Sequence, residues 1–499
     1  MIGVSILSMR RTSTLSSLVL VSASSMGTDR REDAGGPAAV HPNGESDAGG
    51  TGGAGKTAKA GKTRSAGGAG SAESAAARTD RRTFWGLVGD FFFFGIGASF
   101  ASQTTVVPAF LASLTSSSPL IGLASTLATG GWLLPQLFAA NRLTGRRRRK
   151  LSVVVPGIVG RAASLLVAPA ILLLAPIRPD LALAAFYILY LVFWLADGVG
   201  SIAWLDVLGR CLTPAARARL ISIGTVAPGV VGIGVGALVG IVLSSERIPF
   251  PGNYALLFGV CGVFHTLSLL SFLFVHDTPV ETVQPALPWP AFFRRLASVL
   301  GEDRGFRRAV AAQLCLSGVG IAAPFYVVYG LEQLGFSPAS IGLFTSVQVI
   351  GGVFSALIMG MLGERRGTRS VMRLWGLLAV CAPLAALAAP ALRSVLPAAV
   401  LYVYALAFIV VGMQGNANMA GFLNWVLEYA PGSNRPLYIG FSNTMSGISL
   451  VMPLLGGWLL SATGSYTALF LAAAAGPLAG LLLTLWLPEP RRRAAAGLS

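Results

Sequence analysis

The sequence predicts an all-α polytopic membrane protein with twelve transmembrane helices, organised as two six-helix bundles related by a pseudo-twofold axis. Three observations lead there. Apolar stretches follow one another from Phe84 to Leu487, basic residues fall in alternate gaps between them, and short motifs recur at an offset of about 216 to 220 residues.

The hydrocarbon core of a bilayer takes about 20 apolar residues per helical span. Twelve stretches reach that length: 84–110, 118–140, 151–175, 182–207, 219–243, 254–276, 308–331, 339–362, 371–390, 396–428, 437–460 and 466–487. Hydrophobic residues make 54% of the chain and charged residues 11%, against about 25% charged residues in a soluble domain. With the N-terminus inside, the connections after spans 2, 4, 6, 8 and 10 and the C-terminal tail, taken with their flanking residues, hold 22 Lys or Arg. The opposite connections hold three, Arg178, Arg247 and Arg393. Cytoplasmic loops concentrate Lys and Arg, so both termini are expected in the cytoplasm; the reverse orientation would place Arg146 to Lys150 outside.

The formal net charge of +17 lies in short loops and a polar tail, not on a folded basic face, so no nucleic-acid partner is expected. Arg outnumbers Lys by 33 to 4, which points to a GC-rich bacterial genome and hence to a bacterial plasma membrane. Cys211, Cys261, Cys315 and Cys381 are far apart and form no C-x-x-C, so neither a disulfide frame nor a metal site is expected, and no cofactor. Residues 27–80 are rich in Gly, Ala, Ser and Thr and carry almost no large apolar side chains; residues 1–80 read as a disordered cytoplasmic extension. Arg10-Arg11 followed by Leu15 to Val21 looks a little like a signal peptide. Cleavage there would leave the new N-terminus outside, against the loop charges, and Met26 is the favoured alternative start.

The repeats organise the rest. Ser118-Pro119-Leu120-Ile121-Gly122-Leu123 opens span 2, and Ser337-Pro338-Ala339-Ser340-Ile341-Gly342-Leu343 opens span 8. Gly130-Gly131 and Gly351-Gly352 follow in each. Arg219 with Ile223-Gly224 at span 5 matches Arg435 with Ile439-Gly440 at span 11. Two six-span units in the same orientation are therefore expected, 81–276 and 308–487, joined by a proline-rich cytoplasmic linker, 277–307, and followed by a cytoplasmic tail, 488–499. An amphipathic helix from Pro290 to Leu300 would lie on the membrane surface.

After span 2 comes Asn141-Arg142-Leu143-Thr144-Gly145-Arg146-Arg147. Twelve spans, six-plus-six repetition and this loop resemble the major facilitator superfamily, whose signature there is Asp-Arg-x-Gly-Arg-Arg. Asn141 stands where the family has Asp, and Thr144 adds one residue; Gly363 to Arg369 resembles a degenerate second copy. The resemblance implies a transporter in which spans 1, 4, 7 and 10 line a central cavity. It also implies an inner gate at Asn141, Arg142, Gly145 and Arg146, with Asp206 and Arg210 as alternative charged partners.

Inside the bilayer a centred charge costs about 2.5–3.5 kcal/mol, so each needs a partner or a wet cavity. Arg161 lies ten residues from the inner start of span 3, and Asp197 ten residues from the inner end of span 4, so at about 1.5 Å per residue they reach equal depth. They read either as a proton-coupled pair or as a fixed structural bridge. Asp90 in span 1 is a further proton site or a solvated cap. Gln103, Trp194, Gln313, Tyr326, Gln414, Asn416 and Asn418 are the candidate cavity residues, their amides and rings suited to a polar or amphipathic solute or else to helix packing. His265, alone in span 6, reads as a hydrogen-bonded core residue or a relay.

These features predict a secondary transporter, not an enzyme, moving a small organic solute by alternating access. Protons are the expected coupling ion, export is favoured over uptake of a polar metabolite, and a monomer is expected. A lipid-modifying enzyme and a transport-dead sensor are the alternatives of another class; neither a clustered nucleophile and base nor an output domain supports them. No Gly-x-x-x-x-Gly-Lys-Ser/Thr loop is present to bind ATP.

Overall fold

A computed structural model describes residues 66–144, 149–277, 303–415, 417–430, 438, 442 and 447–490, with the backbone alone at 66–80, 137, 138, 140–144, 214, 218, 418, 419 and 448. The described residues are helical throughout, without strands. Helices α1 (Ala66–Phe100) and α2 (Val106–Leu114) make span 1, followed by α3 (Ser118–Thr144), α4 (Leu151–Leu174), α5 (Pro179–Cys211), α6 (Pro214–Leu243) and α7 (Gly252–Phe272). The second half runs through α8 (Arg304–Ser317), α9 (Phe325–Glu332), α10 (Ser340–Arg366), α11 (Thr368–Val395), α12 (Val400–Gln414), α13 (Asn424–Tyr429), α14 (Met452–Thr463) and α15 (Tyr466–Leu485). Among the described residues nine helical segments are long and apolar enough to cross a membrane. The other three expected spans coincide with α3, with α12 and α13, and with α14.

The helices are inside out relative to a soluble protein. On α4 the exposed side chains include Leu151, Val155, Ile158, Val159, Leu166 and Leu173, while Arg161 and Ser164 are buried. Apolar side chains outward and polar ones inward is the arrangement hydrocarbon demands, because lipid cannot satisfy a polar group.

Several elements differ from expectation. Helix α1 begins at Ala66, inside the segment expected to be disordered. Six of the residues from 70 to 77 are Ala or Ser and none is Pro, so helix propensity there opposes the lack of apolar residues. Helix α8 begins at Arg304, where the Asp303 carboxylate accepts the Phe306 N–H at 2.9 Å and caps the first turn. Span 1 is broken over 101–105. Pro108 sits in the first turn of α2, and its ring would strike the Thr104 carbonyl were the helix continuous. Span 7 breaks in the same way, through a 3₁₀ segment at Gly318–Ala322 and then Pro324. Span 10 passes through a π segment, Asn418–Leu423. Residues 1–65, the loop 145–148 and the linker residues 278–302, including the surface helix expected at 290–300, lie outside the described residues.

The repeated motifs occupy matching places. Glycines bring helices of the two halves together: a Cβ on Gly122 would strike the Pro453 carbonyl of α14, and one on Gly342 would strike the Gly236 carbonyl of α6. Within each half, Gly131 and Gly198 let α3 meet α5, while Gly351 and Gly412 let α10 meet α12. These are the same relations on either side of a pseudo-twofold axis.

The halves converge at the end that carries Ser118, Leu243 and Ser340. One continuous apolar core there joins Phe110, Phe186 and Phe258 of the first half to Phe325, Phe344 and Phe408 of the second. At the opposite end, among the described residues, each half has its own core. Leu87, Val207, Leu220 and Phe272 belong to one, and Phe306, Met372, Trp375 and Trp425 to the other. Polar bonds reinforce the convergent end: Thr104 Oγ1 donates to Gln348 Oε1 at 2.7 Å, Thr105 and Thr345 share a hydrogen bond at 2.7 Å, and Ser346 Oγ donates to the Ile233 carbonyl at 2.8 Å.

Gly342→Val is expected to pry α6 from α10. A cysteine placed at Thr345, which is 2% exposed, should then react with a membrane-impermeant maleimide at least about tenfold faster than in the Gly342 background. Equal rates would show that this crossing does not hold the convergent end shut.

Candidate functional site

The first half gathers its membrane-embedded charges into one cluster. Arg161 on α4 and Asp197 on α5 meet through Nη1 and Oδ1 at 3.0 Å. The Arg161 Nε–H also donates to the His265 carbonyl on α7 at 3.3 Å. The guanidinium carbon lies 5.5 Å from the Phe94 ring centroid and 5.7 Å from that of Phe193, within reach of a favourable cation–π attraction. The same two rings, 6.5 Å apart, both flank the His265 imidazole, at 4.9 and 4.8 Å between centroids. Ser164 Oγ and His265 Nδ1 share a hydrogen bond at 3.2 Å. Four helices, α1, α4, α5 and α7, thus contribute to one polar nucleus inside an aromatic shell.

Asp90, one turn before Phe94 on α1, is held separately. Its Oδ2 accepts the Trp204 indole N–H at 2.7 Å, and its Oδ1 accepts the Ser268 hydroxyl. Two neutral donors and no cation bonded to it distinguish this carboxylate from Asp197.

A chamber of about 60 Å³ lies beside the cluster, bounded by Phe94, Gln103, Tyr190, Trp194, Phe193 and His265 among others. Two waters would occupy about 60 Å³ at liquid density, whereas a cavity that takes benzene measures about 150 Å³. In this conformation the chamber is therefore too small for the ring-bearing solute that Tyr190 and Trp194 suggest from sequence.

The second-half candidates do not form such a cluster. Gln313 on α8 is 1% exposed. Tyr326 is also 1% exposed and stacks on Phe470 at 5.3 Å, so it packs in the core instead of lining a cavity. The Gln414 amide nitrogen is buried and has no hydrogen-bond partner among the described residues. Asn416 and the Asn418 side chain lie outside the described residues. Among the described residues no group of three His, Cys, Asp or Glu side chains is placed to hold a metal ion.

At the divergent end, Asp206 and Arg210 are joined within the first half. Asp206 bridges Arg149 and Arg210, the latter at 2.7 Å, and Arg210 also reaches Asp277 at 3.2 Å. Asp277 Oδ2 accepts the backbone N–H groups of Arg149 and Lys150 at 2.8 and 2.9 Å, and so caps α4. The side chains of Asn141 and Arg142, and all of Gly145 and Arg146, lie outside the described residues. Sequence reasoning missed Arg149 and Asp277 in this network, and Trp204 and Ser268 beside Asp90. Asp277 carried one usable signal, as the first acid after span 6; the others have no local pattern that marks them.

Arg161→Ala should strand Asp197 in a low-dielectric site, and removing one member of a buried pair costs about 3–5 kcal/mol. Unfolding of the purified protein in a detergent series should show that loss, with most of it recovered in the double variant Arg161→Leu, Asp197→Leu. Fully additive single and double losses would mean that the two groups do not interact.

Comparisons with known proteins agree with this architecture. The Major Facilitator Superfamily model matches residues 309–498. No curated protein matches the chain in sequence. Among solved structures the chain is similar to a D-xylose–proton symporter (16% identity, TM-score 0.56, covering 82% of this chain and 98% of that one). It is similar to a nucleoside transporter (13%, 0.61, 81% and 99%). It is also similar to a bacterial homologue of the iron transporter ferroportin in an inward-facing state (17%, 0.55, 82% and 98%). At such identities the likeness is one of fold, and it extends over nearly the whole of each transporter. The second half of the chain thus matches the Major Facilitator Superfamily model, and the chain as a whole shares the fold of these transporters.

Proposed function

We propose that the protein moves a small organic solute of low net charge across a bacterial plasma membrane by alternating access, coupled to protons. The observation that carries this reading is the contrast between its two ends: one shared core at the convergent end and two separate cores at the other. Two units joined at one end and parted at the other can rock about a midplane site. With both termini cytoplasmic, as the loop charges favour, the convergent end faces outward and the solute site opens to the cytosol. Spans 1 and 7 are both broken, and in transporters discontinuous helices bind solutes and coupling ions.

Asp197 and Asp90 are the proposed proton carriers. Protonating Asp197 removes the charge that Arg161 pairs with, and so changes what holds α4 to α5. Protonating Asp90 requires its contacts with Trp204 and Ser268 to rearrange, because a neutral carboxyl offers one acceptor fewer. The aromatic and amide character of the candidate lining supports export of an amphipathic compound. Asp206, Arg210, Arg149 and Asp277 are proposed to brace the cytoplasmic end of the first half as one rigid body, with Asn141, Arg142, Gly145 and Arg146 as the element that meets the second half when that end closes. The protein is proposed to act as a monomer.

Flux in inverted vesicles, measured with and without a pH gradient over a panel of compounds, tests both coupling and direction. The gradient should drive uptake into inverted vesicles at least about tenfold above the collapsed-gradient rate, and Asp197→Asn or Asp90→Asn should abolish that stimulation while leaving solute exchange. Gradient-driven flux unchanged in both variants would remove proton coupling at these residues; accumulation only in right-side-out vesicles would replace export by uptake.

A further inference from the structure

The chamber inside the first half has a polar lining that its neighbours do not satisfy. Tyr190 is 8% exposed. Its hydroxyl and the Trp194 indole nitrogen are both buried and without a hydrogen bond of normal geometry among the described residues. The two rings are 6.1 Å apart between centroids. Both residues border the same chamber of about 60 Å³, as do Ser164 and His265. A buried donor left unmade costs about 1–3 kcal/mol. Two such donors and a serine hydroxyl around one chamber make a site with the two to four partners that a buried water requires.

We propose that this chamber is a hydration site for about two waters, and that they form a branch leading from the interface between the halves to the Arg161–Asp197 pair. One end of the branch is Gln103, which lies one residue before Thr104, itself hydrogen-bonded across the interface to Gln348. The other end is Ser164, which is bonded to His265, whose carbonyl receives Arg161. A proton entering at Gln103 passes from water to water as each O–H bond formed releases another. When the Arg161–Asp197 bond opens, a further water enters between Ser164 and Asp197; it gives one proton to an Asp197 carboxylate oxygen and takes one from the chamber water behind it, while the guanidinium keeps its charge, and return follows the same bonds in reverse. An apolar solute group is excluded by size, so the site belongs to water and protons. The relay rests on the proton-coupling reading above, whereas the hydration itself does not.

Millisecond X-ray radiolysis separates the two, because hydroxyl radicals made from bound water modify the side chains beside it without any transport. Tyr190, Trp194 and His265 should be modified at least about tenfold faster than Tyr404, which is 1% exposed and packed against Phe344 and Phe408. Ala98→Leu, which adds bulk to the chamber wall, should abolish that excess, and Tyr190→Phe, which keeps the ring and removes its hydroxyl, should lower it at His265 with the fold retained. Modification no faster than at Tyr404 in the wild type, or unchanged in both variants, would overturn the hydration site. With hydration established, gradient-driven flux should fall at least about tenfold in Ala98→Leu while solute exchange persists; unaltered gradient-driven flux would overturn the relay. If Asp197→Asn keeps its gradient-driven flux while the chamber still labels, the coupling assignment fails and the water site stands.

Discussion

The structure depends on two close crossings between its halves, α6 with α10 and α3 with α14, both made possible by glycine. In lipid, apolar surface gains little by leaving its surroundings, so association rests on backbone proximity, van der Waals contact and a few polar bonds. Gly236, Gly240 and Gly342 allow the first crossing, and Gly122 and Gly457 the second. Thr104, Thr105 and Ser346 add hydrogen bonds beside the first. These crossings hold the two units in register beside the apolar core that they share at the convergent end. A contact of this kind can open and re-form, which is what a protein with access to two sides in turn needs.

The two halves share a scaffold but divide the chemistry. The first half holds the buried ions and the imidazole in one nucleus, with Arg161 at its centre. Arg161 is bound by a carboxylate, a carbonyl and two aromatic faces at once, so a change in the charge of Asp197 is felt on three helices. The second half is neutral around Tyr326, Tyr404 and Phe470, whose rings pack as a core. At its divergent end is a carboxylate clasp, where Asp303 receives the hydroxyls of Tyr429 and Tyr438, both at 2.8 Å. That clasp ties the start of α8 to the segments following span 10, as Asp277 ties α4, α5 and α7 in the first half. Each half is therefore braced at the end where the halves separate from one another, as a rigid-body motion requires.

Much of this was legible in the chain because membranes impose strong rules. Span length and loop charge follow from bilayer thickness and lipid electrostatics, and Gly122 and Gly342 in the Ser-Pro echoes mark positions where a side chain would collide with a neighbour. The meeting of Arg161 and Asp197 was readable from equal depth, since a charge in lipid needs a partner close by. What sequence did not disclose depends on rotation about a helix axis and on three-body packing. Tyr326 and Tyr190 look alike as aromatics in spans expected to line the cavity, yet one stacks on Phe470 and the other borders a chamber. The breaks in spans 1 and 7 were signalled by Pro108 and Pro324, but an apolar stretch through a proline reads as one continuous span until the carbonyl it would strike is considered.

The most direct test of alternating access is the distance between spin labels at the two ends of the α6–α10 crossing, measured by double electron–electron resonance in lipid. One pair, at Ala215 and Arg365, reports the divergent end, and another, at Glu246 and Ser337, the convergent end; all four positions are exposed. Lowering the pH or adding a transported compound should shorten the first distance and lengthen the second in the same population. Distances that stay fixed, or that change in the same direction at both ends, would contradict the account.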